Sequence, residues 1–234
     1  MVTSIDDQVG RLMAKLEALG LAENTVVLYS SDHGDMLGSH GQRLKRKPWE
    51  ESIRVPGIIR WPGRIKAGTS SDAIFTHVDF APTLLGLAGL KPHPKMQGSN
   101  LADVMTGRSS TSNDAAYLAI HGSYRGDDTP GAWRGIRTRT HVFAKFKNKP
   151  WMLHDIEKDP FEMRNLADER PSAPLMREME RQLERTMKAT GDAWSNDWTG
   201  LSEDAGRLYR HRAFYTVGEY QEWLKAHPEA EAVK

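Results

Sequence analysis

The stretch Val26-Val27-Leu28-Tyr29-Ser30-Ser31-Asp32-His33-Gly34 runs a short apolar segment directly into an acid, an imidazole and a glycine. Residues 26–29 follow the polar pair Glu23-Asn24, and an unbroken apolar run of this length predicts a strand buried on both faces, as in a parallel sheet. The strand then ends at the carboxyl edge of that sheet, where open α/β folds bind their ligands, so Asp32 and His33 are placed for chemistry. Gly34 lets the chain turn away without a Cβ in the path. The plainer alternative is that Asp32 caps a turn and His33 fills surface.

The chain continues Asp35-Met36-Leu37-Gly38-Ser39-His40-Gly41-Gln42-Arg43-Leu44-Lys45, then Arg46-Lys47-Pro48-Trp49-Glu50-Glu51-Ser52-Ile53-Arg54-Val55-Pro56. Glycines, histidines and a basic cluster without apolar periodicity predict a loop with groups able to hold an oxyanion. Upstream, Ile5, Val9, Leu12, Met13, Leu16 and Leu19 have the spacing of an amphipathic helix over residues 4–19, with Ser4 and Asp7 as a candidate capping box and Gly20 as its stop. A helix leading into a buried strand is half of a βαβ crossover, which implies a further strand ahead of Ser4.

Further along, residues 53–61 predict a strand that Pro56 confines to an edge or an end. Residues 79–89 predict a helix with Pro82 in its first turn and Leu84, Leu85, Leu87 and Ala88 facing inward. The polar run 109–114 reads as a linker. Beyond it, residues 116–121, 132–138, 141–147 and 151–156 are short strand-like runs separated by turns, an antiparallel pattern. A helix over about 173–190 then carries Leu175, Met176, Met179, Leu183 and Met187 on one face, and this stripe reads as core packing. The fold class is therefore α/β followed by a small α+β unit with an antiparallel sheet and one helix. The expected division is 1–112, 113–190 and a tail, 191–234. In that tail Trp194, Trp198, Tyr209, Phe214, Tyr215, Tyr220 and Trp223 either dock on the body or line a substrate cleft, and docking is favoured.

Composition narrows the function classes. With 32 basic and 31 acidic side chains the net charge is +1, which gives no electrostatic reason for a nucleic-acid partner. No apolar run approaches membrane-spanning length, and no leader follows Met1, although Met1 need not be the native start. Cysteine is absent, which excludes disulfides and thiolate metal sites.

Asp-His-Gly-x-Met-Leu-Gly-x-His-Gly, a lysine thirteen residues after the Asp, and Trp49-Glu50-Glu51-Ser52-Ile53-Arg54-Val55-Pro56 together resemble the type I sulfatases of the alkaline-phosphatase-like superfamily. The resemblance runs from about Ile5 to about Ala167. It takes in Thr76-His77-Val78-Asp79-Phe80-Ala81-Pro82, Gln97-Gly98-Ser99-Asn100-Leu101, Ile136-Arg137-Thr138 and Leu153-His154-Asp155 through Asn165-Leu166-Ala167. It implies the end of an alkaline-phosphatase-like α/β sandwich in residues 1–112, a periplasmic or secreted enzyme, and a small-molecule or carbohydrate sulfate ester as substrate. By the same resemblance Asp32 and His33 bind a divalent ion, usually calcium, although ligand chemistry alone makes manganese or zinc as natural for an imidazole. Lys45 falls where the family has a catalytic lysine that contacts sulfate and the bridging oxygen, with Arg43, Arg46 and Lys47 as its competitors. His40 and Glu50 either support that site or brace its loop, and His77 and Asp79 read as a helix entry.

The family's nucleophile is a formylglycine made from Cys or Ser in Cys/Ser-x-Pro-x-Arg. This sequence has no Cys, and its one Ser-x-Pro, Ser172-Ala173-Pro174, carries Met176 in place of the arginine. The family's upstream acidic metal ligands have no counterpart either. The expectation is a sulfatase C-terminal portion, inactive in isolation. The alternatives are a phosphonate or phosphate ester hydrolase of the same superfamily and a non-catalytic remnant acting as a binding module.

Overall fold

The computed structural model describes residues 2–121, 131–194 and Glu222, Lys225 and Ala226. Helix α1 (Val2–Ala18) ends in a Schellman arrangement: Gly20, at φ +68°, donates to Glu17 O and Leu21 donates to Leu16 O. The stop is where the sequence puts it. The start is not, because Ser4 and Asp7 lie inside the helix and form no capping box.

Strand β1 (Val27–Ser30) pairs with β2 (Gly57–Arg60), and the pairing is antiparallel, Val27 opposite Arg60 and Ser30 opposite Gly57. This corrects the expectation of a strand buried on both faces in a parallel sheet: every residue of β1 is half-buried. A short apolar run carries no information on the direction of its partner, so periodicity could not decide the point. The strand expected over 53–61 starts only after Pro56, because residues 50–53 form a single helical turn, α2 (Glu50–Ile53).

Helix α3 (His77–Leu87) begins at an N-cap, Thr76, whose capping box with Asp79 is complete. Pro82 sits in the second turn rather than the first, Leu87 is buried, and Leu84 and Ala88 are exposed instead of facing inward. Asp79 is the hub of this region. It accepts from Thr76 N, Thr76 Oγ1 and Asn113 Nδ2 at one oxygen and from Ser99 N at the other. Gly98 is required there because a Cβ would meet the Val78 carbonyl. A further single turn, α4 (Ala102–Met105), follows.

The remaining strands form an antiparallel meander, β3 (Ala116–Ile120), β4 (Trp133–Arg137), β5 (His141–Phe146) and β6 (Lys149–Asp155), in that spatial order. Strand β6 begins two residues earlier than expected, with Pro150 inside it at a register shift opposite Lys145. The register stacks Ile136, Phe143 and Leu153 on one face, and helix α5 (Ala173–Thr190) covers them with Met179, Leu183 and Met187. The methionine stripe is core, as read from the sequence. The opposite face presents Trp133, Ala144 and Met152, and Trp49 from the loop preceding α2 packs against it.

Gly191, at φ +73°, ends α5 and delivers Asp192 to a buried cation. Arg134, 0% exposed, donates to Asp192 through Nε and Nη2, Tyr117 donates its hydroxyl to the same carboxylate, and Trp194 lies 4.9 Å from the Arg134 guanidinium. Burial pushes Asp192 up, but the bonds from Arg134, Tyr117 and the Trp194 backbone outweigh it and hold its pKa at about 2. Trp194 therefore docks on the body; Trp198, Tyr209, Phe214, Tyr215, Tyr220 and Trp223 lie outside the described residues.

Candidate functional site

Strand β1 delivers Ser31, Asp32 and His33 into the loop that leads to α2. The Gly34 N–H donates to Ser52 O at 2.9 Å, and a Cβ on Gly34 would collide with the Glu51 carbonyl. The glycine is thus needed for close approach, not for a positive φ. His77 Nε2 lies 2.7 Å from Ser31 O, which ties the start of α3 to the end of β1.

The loop is closed by its own backbone. Met36 N donates to Leu44 O and Gly38 N to Gln42 O, while Leu37, His40, Leu44 and Arg46 all take positive φ. Four side-chain-bearing residues in this region concentrate strain in one loop. Fully buried Met36 anchors it from below.

That closure brings Lys45 back onto His33. Lys45 Nζ lies 2.5 Å from His33 Nε2, and His33 Nδ1 lies 2.7 Å from the Gly34 carbonyl. A carbonyl can only accept, so Nδ1 carries the proton and Nε2 presents its lone pair to the ammonium. Asp32 Oδ2 stands 3.3 Å from the same Nε2, and the Asp32 side chain is 84% exposed. The three residues singled out in the sequence therefore share one spot.

Among the competing cations, Lys47 is committed to its own loop. Lys47 is buried and donates to Arg43 O at 3.0 Å, Arg43 is exposed, and the Arg46 carbonyl accepts from Trp133 Nε1. Glu50 braces the loop to the meander: both its oxygens accept from Arg137 at 3.0 Å, and Arg54 lies 3.6 Å away.

The donor chemistry of Asp32 and His33 fits a divalent ion as part of a ligand set. A carboxylate oxygen and a fixed imidazole lone pair converge, and the Gly34 carbonyl sets the tautomer, as second-shell acceptors do for metal-bound histidines. A hard ion such as calcium takes six to eight oxygen-rich ligands, so further donors must complete it.

A second group was not legible as a unit in the sequence. His40, Glu51 and Glu162 offer donor atoms that all lie within 4.8 Å of one another. Glu162, 2% exposed, follows β6, and its Oε2 accepts from Glu50 N at 2.8 Å. Burial pushes its carboxyl up to about 7, opposed by that backbone bond. No spacing rule links residue 162 to residues 40 and 51, so pattern reasoning could not find it. His154, also buried, has its pKa lowered by that burial and stays neutral at pH 7.

Residues 38–189 match the family described as N-sulphoglucosamine sulphohydrolase, C-terminal. The chain is 38% identical to an N-acetylglucosamine-6-O-sulfatase of Bacteroides thetaiotaomicron over 82% of its own length and 35% of the relative's. A solved protein in complex with its substrate D-glucosamine-2-N,6-O-disulfate superposes with a TM-score of 0.77 at 36% identity, covering 84% of this chain and 41% of that one. A phosphonate monoester hydrolase of Agrobacterium radiobacter superposes with a TM-score of 0.70 at 26% identity, covering 80% and 40%. The chain thus spans well under half the length of these relatives. Sulfatases generally use a divalent metal, and the mixed α/β architecture described above is part of their fold. The chain belongs to the N-sulphoglucosamine sulphohydrolase C-terminal family of the sulfatases.

Proposed function

We propose that this chain supplies one wall of the active site of a sulfuric ester hydrolase, acting on a sulfated carbohydrate, with Asp32 and His33 as metal ligands and Lys45 as the sulfate-contacting catalytic cation. The observation that carries this reading is the convergence of Lys45 Nζ, His33 Nε2 and the Asp32 carboxylate at the end of β1. A sulfate monoester resists attack because its sulfur is screened by anionic oxygens and its leaving alkoxide is poor. Lys45 offers a compact charge with three donors, suited to those oxygens and to the bridging oxygen. Asp32 and His33 would hold a divalent ion, calcium in our reading, which would supply Lewis acidity toward the sulfuryl oxygens.

The lone pair of His33 Nε2 cannot serve an ammonium and a dication at once. In the loaded site Lys45 therefore turns from His33 to the substrate, while the Gly34 carbonyl keeps the imidazole in its ligating tautomer. The nucleophile, a formylglycine in our reading, has no precursor motif in these residues and belongs to the rest of the enzyme. We also read 1–112 as the end of the catalytic α/β domain, 113–190 as the small α+β subdomain and 191–234 as a tail on the body. A carbohydrate sulfate is favoured as substrate because a solved relative holds a sulfated glucosamine.

The test is turnover by the complete enzyme containing this chain. We expect hydrolysis of an aryl sulfate to exceed that of phenylphosphonate, and to fall by about a hundredfold or more in kcat for Lys45→Ala. Preferred hydrolysis of phenylphosphonate would instead favour the phosphonate hydrolase relationship.

A further inference from the structure

We infer that His40, Glu51 and Glu162 form a second divalent-metal site, of transition-metal type with zinc as its natural occupant, which rivets the loop between β1 and β2 to the segment following β6. It shares no residue with the Asp32, His33 and Lys45 constellation, and it does not depend on the sulfatase reading. Its donor atoms lie within 4.8 Å of one another, close to the spacing of about 3.4 Å that three donors adopt around a tetrahedral zinc.

The independent observation is electrostatic. Glu51 Oε2 and Glu162 Oε1 are buried and have no hydrogen-bond partner among the described residues. A buried carboxylate oxygen left without a donor is costly, and two of them beside an imidazole call for a cation. The neighbouring guanidinium does not answer the need, because Arg137 gives two bonds to Glu50. Glu162 uses its other oxygen on Glu50 N, which fixes the carboxylate and leaves Oε1 as the available donor. His40 Nε2 is 3.9 Å from Glu51 Oε1, and its ring lies flat against Trp49, with centroids 5.0 Å apart and planes 17° apart. The stacking restricts the imidazole to few orientations.

The donor set selects the ion. One imidazole and two carboxylates leave a fourth position and suit zinc or manganese, whereas calcium needs six to eight ligands, more than these three side chains offer. Two carboxylates with a dication are also neutral overall, which suits a site whose Glu162 is almost fully buried.

The experiment is calorimetric titration of ZnCl2 into the EDTA-stripped chain carrying Asp32→Ala and His33→Ala, which silences the other candidate site. We expect one zinc per chain with micromolar or tighter affinity and a rise in Tm on saturation. Adding Glu162→Gln, which keeps the shape and the Oε acceptor for Glu50 N, should weaken binding at least about 100-fold, and His40→Ala should do the same. Circular dichroism of each variant establishes that it is folded. Absence of stoichiometric zinc binding, or binding that both added substitutions leave unchanged, overturns the site and assigns the two carboxylates a shared proton instead.

Discussion

The loop between β1 and β2 and the meander under α5 are built in opposite ways. The loop holds four side-chain-bearing residues in positive φ, exposes Asp32 and holds its histidine against a lysine. The meander has no such residue within its strands, buries a continuous apolar layer and holds a buried cation, Arg134, in a closed set of partners. Chemistry needs groups that are presented and able to change partners, and packing needs groups that are neither. Glu50 joins the two regions, because its bonds to Arg137 fix the strained loop to the rigid sheet. Substitutions should therefore separate cleanly, loop changes acting on turnover and meander changes on stability.

The largest effect should come from Asp32→Ala in the complete enzyme. Activity should fall below a tenth of the wild type, with the melting curve unchanged because this side chain is exposed. Turnover above that level, or a lost fold, would erase the contrast. In the meander, Leu183→Ala removes a fully buried side chain and should cost about 2–5 kcal/mol, read from urea unfolding. Asp79→Ala tests the boundary between the regions. It strands the Thr76 and Ser99 N–H groups and should cost about 2–3 kcal/mol by the same measurement.

The smallest effect lies in acid. Asp192 has a folded pKa of about 2, below the ordinary value of 3.8, so its contribution is present above pH 4 and is lost as the pH falls toward 2. Asp192→Asn should flatten that acid limb of the stability curve, measured as Tm against pH. An unchanged slope would mean that Arg134 finds its compensation elsewhere.

What was legible in the sequence follows the same division. The meander strands and α5 could be read closely because short strand-like runs between turns and an apolar stripe at helical spacing are local signals. The proposed site residues Asp32, His33 and Lys45 were singled out through a long, ordered motif, and their convergence depends on loop closures such as Met36 to Leu44 that span few residues. The partner of β1 was not legible, since an apolar run states burial and not direction. Nor was the His40, Glu51 and Glu162 group, because Glu162 reaches the loop only through the docking of β6 behind Trp49. Ser4 and Asp7 had the right spacing for a capping box, but the helix starts two residues before Ser4 and takes both into its body.

The most direct measurement is an anomalous-scattering crystal structure of the complete enzyme, grown with a divalent ion and a sulfate-bearing ligand. The arrangement at the end of β1 predicts an ion bonded to the Asp32 carboxylate and His33 Nε2, with Lys45 Nζ within hydrogen-bond distance of the sulfuryl oxygens. Density placing the ion away from Asp32, or Lys45 directed into solvent with the ligand bound, would contradict it.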